Sequence, residues 1–216
     1  SHAAMRAGRE PGDVKLIAVT KTVGIESIRE AINAGLRVFG ENRVQEAQEK
    51  LMSDELKVMS ERIEWHLIGH LQRNKAKYAV RLFDLIHSVD SVELAGEIDR
   101  SAEKNGKIQD VLVEVKLSHE RTKHGVSRTD LTGLLKEVAG FKHLNLVGLM
   151  TIPPFFDNPE DARPYFRELR NLRDEAVSSG FALPQLSMGM SGDFEVAIEE
   201  GATMVRVGTA IFGERK

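Results

Sequence analysis

A lysine, two glycine-bearing turns and an arginine carry the chemistry this sequence offers. Lys21 follows the apolar run Lys15-Leu16-Ile17-Ala18-Val19. Partial removal of a lysine amine from water favours its neutral form, which can condense with an aldehyde to a Schiff base. Position alone favours a plainer role, a hydrated lysine opening a loop. Met188-Gly189-Met190-Ser191-Gly192-Asp193 leads straight into a helical stretch. Its glycines let backbone approach closely, Ser191 offers a hydroxyl, and free N–H groups at a helix start face an anion. Ser191 and Asp193 are also ordinary helix N-cap types, and the two roles are compatible. Arg206-Val207-Gly208-Thr209 adds further N–H groups and a second hydroxyl. Arg206 and Gly208 share one face of a strand. If that face is buried, the guanidinium needs an acceptor, either a carboxylate such as Glu114 or a ring nitrogen.

These residues need a frame. Apolar, β-branched runs occur at 15–19, 37–40, 64–69, 84–89, 111–115, 144–150, 185–188 and 204–208 and read as buried parallel strands. Helical patterns lie between them, at 25–34, 42–52, 73–82, 91–105, 129–138, 160–179 and 193–200. Gly35 and Gly201 close two of these, and Ser91 with Asn105-Gly106 brackets another. About eight strand–helix alternations in 216 residues imply an α/β chain folded as a single (β/α)8 TIM barrel over 1–216, near the short end of that fold's range. An open doubly wound sheet would use fewer strands, and no Gly-x-Gly-x-x-Gly follows the first. In a barrel, Lys21 and the turns at 188–193 and 206–209 all fall at the C-terminal strand ends, where such folds build their sites.

Composition narrows the field. Apolar residues are 41% and charged residues 29%, an ordinary globular balance. No apolar run approaches the roughly 18 residues of a membrane span. The first residues lack a signal-peptide core, which points to the cytoplasm. No cysteine is present, so disulfides and thiolate chemistry are excluded. A net charge of −3 gives no sign of nucleic-acid binding. No long apolar stretch is left to cover, which favours a monomer. A lysine amine, two anion-cradling turns and an inward arginine are together satisfied by an aldehyde that bears a phosphate: pyridoxal 5′-phosphate (PLP).

Val19-Thr20-Lys21-Thr22, Phe39-Gly40-Glu41-Asn42-Arg43-Val44-Gln45-Glu46 and Trp65-His66-Leu67-Ile68-Gly69-His70-Leu71-Gln72-Arg73-Asn74-Lys75 are very similar to motifs of the PLP homeostasis (YggS/PROSC) family. So are Gly148-Leu149-Met150-Thr151-Ile152-Pro153, Leu186 to Ser191 and Met204 to Gly213. The matches run in order over nearly the whole chain. The resemblance implies a fold-type III barrel related to the N-terminal domain of alanine racemase. It implies PLP held as a covalent aldimine on Lys21 and phosphate held by Ser191, Gly208 and Thr209. It also implies Arg206 opposite the pyridine nitrogen, which weakens the ring as an electron sink. Asn42, His66, Met150 and Ser187 match motif positions that line the pocket. The chain departs from the family at His70, where a proline is common, at Lys116, where an asparagine is common, and around Gly192.

The resemblance implies a carrier or regulator of intracellular PLP that supplies apo-enzymes, with no strong catalysis. The chain stops just after the eighth strand, and Tyr78 and Tyr165 fall in helices, so no opposing tyrosine base is evident. The alternative is a weak PLP-dependent amino-acid racemase with Lys21 as its one base. No metal site is expected. His119 and His124 are spaced one residue too far apart for a zinc helix, and Gly69 ends a strand between His66 and His70. Trp65 reads as strand packing, and Arg73 to Lys77 as a hydrated helix face.

Overall fold

The computed structural model describes residues 2–57, 63–118 and 124–213. Eight parallel strands close into a barrel in chain order. They are β1 (Lys15–Val19), β2 (Val38–Glu41), β3 (Glu64–Leu67), β4 (Leu85–Val89), β5 (Gln109–Glu114), β6 (Leu144–Met150), β7 (Gln185–Met190) and β8 (Met204–Val207). Closure comes from β1 against β8, with Ile17 beside Arg206. The register shifts by a residue between β4 and β5, β5 and β6, and β7 and β8. Such irregularities re-aim side chains at a barrel rim.

Two cores hold the barrel. The larger lies between strands and helices, where Ile28 and Ile32 of the helix Ile25–Asn33 meet Ala18 and Phe39. Trp65 is buried there and stacks on Phe39 with ring centroids 5.4 Å apart, so it packs as its strand position suggests. The smaller core contains Ile17, Leu85, Leu112, Met150 and Met204. These come from five different strands and can meet only inside the ring. Period-two alternation then places Lys15, Ile17 and Val19, and likewise Glu64 and His66, on the inner face.

The helices follow the sequence pattern with shifted ends. Val92–Lys104 has Ser91 as its N-cap, and the Ser91 hydroxyl accepts the Leu94 N–H at 3.4 Å. Gly35 takes φ +100° just past the first amphipathic helix. Two expected helices begin as 3-10 turns, Arg73–Lys75 and Pro159–Ala162. Short helices at His2–Arg6, Asp54–Lys57 and Thr209–Phe212 fall outside the expected segments. They are too short for an amphipathic period to show.

Candidate functional site

A cavity of about 490 Å³ opens at the C-terminal ends of the strands, within the usual range for small-molecule sites. Lys21 lines it from the loop after β1, Asn42 from after β2 and Ser191 from after β7. Arg206, Gly208 and Thr209 line it from β8 and beyond, and Ile68, Ile152, Phe155 and Phe156 supply apolar wall. The β7 and β8 turns are joined directly: the Gly208 N–H donates to Ser191 Oγ at 3.1 Å. The β7 turn is fastened by Asp193, which accepts the Met190 N–H at 2.6 Å. Gly189 sits at φ +91°, and a Cβ there would lie 2.5 Å from that of Ala197. Only glycine lets this turn close so tightly on the following helix.

The Lys21 loop is held from behind by charges that the sequence reading did not single out. Glu41 is fully buried and accepts from the Thr20 hydroxyl at 2.6 Å and from Lys50 Nζ at 2.6 Å. Lys50 Nζ also donates to the Thr20 carbonyl at 2.6 Å and to Glu46 at 2.7 Å. Glu46 in turn accepts the Thr22 N–H at 2.6 Å. The residues flanking Lys21 are therefore pinned while its own side chain lines the cavity. Burial pushes the Glu41 carboxyl above its ordinary range, against the pull of Lys50 and Thr20. Burial acts upward on Glu46 too, but Lys50 and the Thr22 N–H outweigh it and bring it down. Thr22 has φ +62°, the one left-handed non-glycine among the described residues. The network thus holds a β-branched residue in a conformation it disfavours. The readable signal was Glu46 and Lys50 at helical i,i+4 spacing, beside a glutamate that ends an apolar strand.

Three of the nine expected site residues lie elsewhere. His66, Ser187 and Met150 do not line the mouth cavity. They face the barrel interior one layer below, because side chains alternate along each strand and the matched motifs span both layers. Met150 packs in the inner apolar core. Ser187 Oγ accepts from Arg206 Nη1 at 2.6 Å, and Arg206 Nη2 donates to the Thr151 carbonyl at 2.9 Å. Arg206 is thus satisfied by neutral acceptors, with Glu114 and Asp193 acting only at longer range. Burial pulls its guanidinium down to about 10, so it stays charged at neutral pH.

From Ser187 a buried chain runs toward the opposite end of the barrel. Ser187 Oγ lies 2.9 Å from His87 Nδ1, and His87 Nε2 lies 3.1 Å from His66 Nδ1. His66 Nε2 lies 3.5 Å from Glu64, and Glu64 pairs with Lys15 at 2.7 Å. Burial holds both imidazoles below their ordinary range, His87 far below. Arg206 can only donate, so Ser187 receives its proton and gives its own to His87 Nδ1. Each ring then keeps its proton on Nε2, and the last donation reaches the Glu64 carboxylate. The opposite direction would set lone pair against lone pair at His66 and Glu64. The hydrogen bond from His66, with help from Lys15, holds Glu64 down at about 2.

The 119–124 stretch set aside above lies outside the described residues except for His124. That ring stacks on His70, with centroids 3.6 Å apart.

Residues 3–216 match the family described as alanine racemase, N-terminal domain. A PLP homeostasis protein of Aquifex aeolicus is 54% identical over 212 residues, covering 98% of this chain and 91% of the relative. The chain belongs to the pyridoxal phosphate homeostasis protein family. The Escherichia coli K12 member is 40% identical over 222 residues, covering all of this chain and 92% of its own. PipY of Synechococcus elongatus, solved without PLP, superposes on this homeostasis-family barrel with a TM-score of 0.89 at 41% identity, covering 98% of each chain. The same protein with PLP bound gives 0.87. Alanine racemase of Clostridium difficile shares the fold at a TM-score of 0.74 and 16% identity, covering 99% of this chain and 54% of the racemase. No helix among the described residues is long and apolar enough to cross a membrane.

Proposed function

We propose that this protein binds PLP at the barrel mouth, with Lys21 joined to the cofactor carbonyl as a Schiff base. Bound PLP supplies an electrophilic carbonyl and, where its ring nitrogen is protonated, an electron sink. The observation that carries the reading is that one cavity is lined by Lys21, by the joined Ser191 and Gly208 turns, and by Arg206. The residues fit the group. Ser191 and Thr209 offer hydroxyls to its phosphate and Thr209 a backbone N–H, while Gly208 ties the two turns together through Ser191, and Asn42 closes the side. Relatives at up to 54% identity named as PLP homeostasis proteins, and PipY with PLP bound, support it. The Glu41–Lys50–Glu46 network orients the Lys21 loop.

The same geometry argues for holding and delivering PLP rather than for strong catalysis. Arg206 keeps its protons at neutral pH, so it would hydrogen-bond the ring nitrogen without protonating it, which disfavours carbanion chemistry. No tyrosine lines the cavity among the described residues; Tyr165 packs against Phe156 and Tyr78 lies beside Lys77. The role is a carrier or regulator in the cytoplasm, with apo-enzymes as recipients. Absorbance with and without PLP, followed by borohydride reduction and peptide mass mapping, tests the bond. A trapped adduct on Lys21, lost in Lys21→Ala, is expected; an adduct on another lysine overturns the assignment. Rapid deuterium uptake at Cα of added amino acids would favour the racemase instead.

A further inference from the structure

On the side of the mouth away from β1 and β8, three metal-type donors converge. His70 follows β3, Asp90 follows β4 and His124 follows β5. One ligand atom from each lies within 4.8 Å of the other two, and His70 Nδ1 is 3.8 Å from Asp90 Oδ2. We propose that His70, Asp90 and His124 bind a divalent transition metal ion of the zinc or cobalt type.

Two imidazoles and a carboxylate are a donor set that suits such ions and leaves room for water in the remaining position. At metal–nitrogen distances of 2.0–2.1 Å, tetrahedral donors stand about 3.4 Å apart, so the site must contract by little more than 1 Å. The two rings lie face to face, 11° from parallel. Both nitrogens can aim at one ion only if a ring turns, and both rings are exposed. Burial acts most strongly on Glu114, Asp90 repels it, and Arg206 attracts it from longer range; a cation beside Asp90 would offset the repulsion. Glu114 and the buried Ser118, whose hydroxyl has no partner among the described residues, line one small cavity together with both histidines and Lys116. An ion there would stitch the loops after β3, β4 and β5 together, away from Lys21.

The probe is Co²⁺ added to tag-free protein stripped of PLP, followed by displacement with Zn²⁺. Visible ligand-field bands, a stoichiometry of one, and affinity reduced at least a hundredfold in His70→Ala and in His124→Ala are expected. Asp90→Asn should lose about tenfold. Zinc should raise the melting temperature of the parent and not that of the variants, as binding to the folded state alone requires. Normal loading with PLP shows that a variant has folded. No cobalt spectrum, or one undiminished in the double histidine variant, overturns the proposal.

Discussion

A lysine stands at each side of β1, Lys15 at its first residue and Lys21 in the loop just past its last, and the two have opposite surroundings. Lys15, at the base, is paired with Glu64 at 2.7 Å. Lys21, at the mouth, has no carboxylate partner among the described residues and lines a cavity beside an anion-ready turn. A lysine held by a carboxylate is a fixed charge; one whose flanking backbone is pinned while its amine is left open can react. A third lysine sharpens the lesson. Lys107 is drawn down by burial, yet its amine is occupied by the Val80 and Phe83 carbonyls at a helix end. A depressed pKa marks a nucleophile only where the amine is also free and faces a cavity.

The largest contrast comes from removing each lysine. Lys21→Met should abolish borohydride-trapped cofactor. Lys15→Met should leave trapping intact and cost only about 0.2–1 kcal/mol in urea unfolding, since its ion pair is partly exposed. Equal loss of trapping in both would erase the distinction. Next comes the support behind Lys21. Lys50→Met strands a buried carboxylate and should cost about 3–5 kcal/mol, a loss that Glu41→Gln in the same chain should partly restore. Ser187→Ala leaves Arg206 and His87 each short of a partner. It should cost about 1–3 kcal/mol and shift the absorbance of bound PLP.

The base end has its own pH signature. The folded-state value of Glu64, about 2, lies below the ordinary 4.5. The stability it contributes is therefore present above pH 4.5 and is lost as pH falls toward 2. Acid titration of unfolding should show a drop of about 1–2 kcal/mol, after allowance for screening of a partly exposed group, and Glu64→Gln should flatten it. The smallest effect is at the mouth. Thr22→Gly relieves a left-handed backbone and should raise stability by about 1 kcal/mol while loosening retention of PLP. A loss of stability would show that φ +62° costs nothing there.

The barrel was legible because buried parallel strands write themselves as continuous apolar runs, and all eight stand within a few residues of where the pattern puts them. The lining of the mouth cavity was legible at Lys21, Ser191, Arg206, Gly208 and Thr209, since each lies at or just past the C-terminal end of a strand. Depth was not. Whether His66, Ser187 or Met150 reaches the rim depends on stagger between neighbouring strands and on register shifts, which no local pattern encodes. The Glu41–Lys50–Glu46 group was hidden for a related reason: charges on a helix read as a wet face until tertiary packing covers them. His87 sits inside an apolar run, where one polar residue passes as noise.

The line of donors from Arg206 to Glu64 has a single direction, because its first member can only donate and its last can only accept. Turning over one imidazole would set like against like on both sides of it, so each ring is locked by the charges at the two ends. If the cofactor sits at the mouth as proposed, a substitution on the underside of the ring of strands should therefore tint it, with no heavy atom between them changing place.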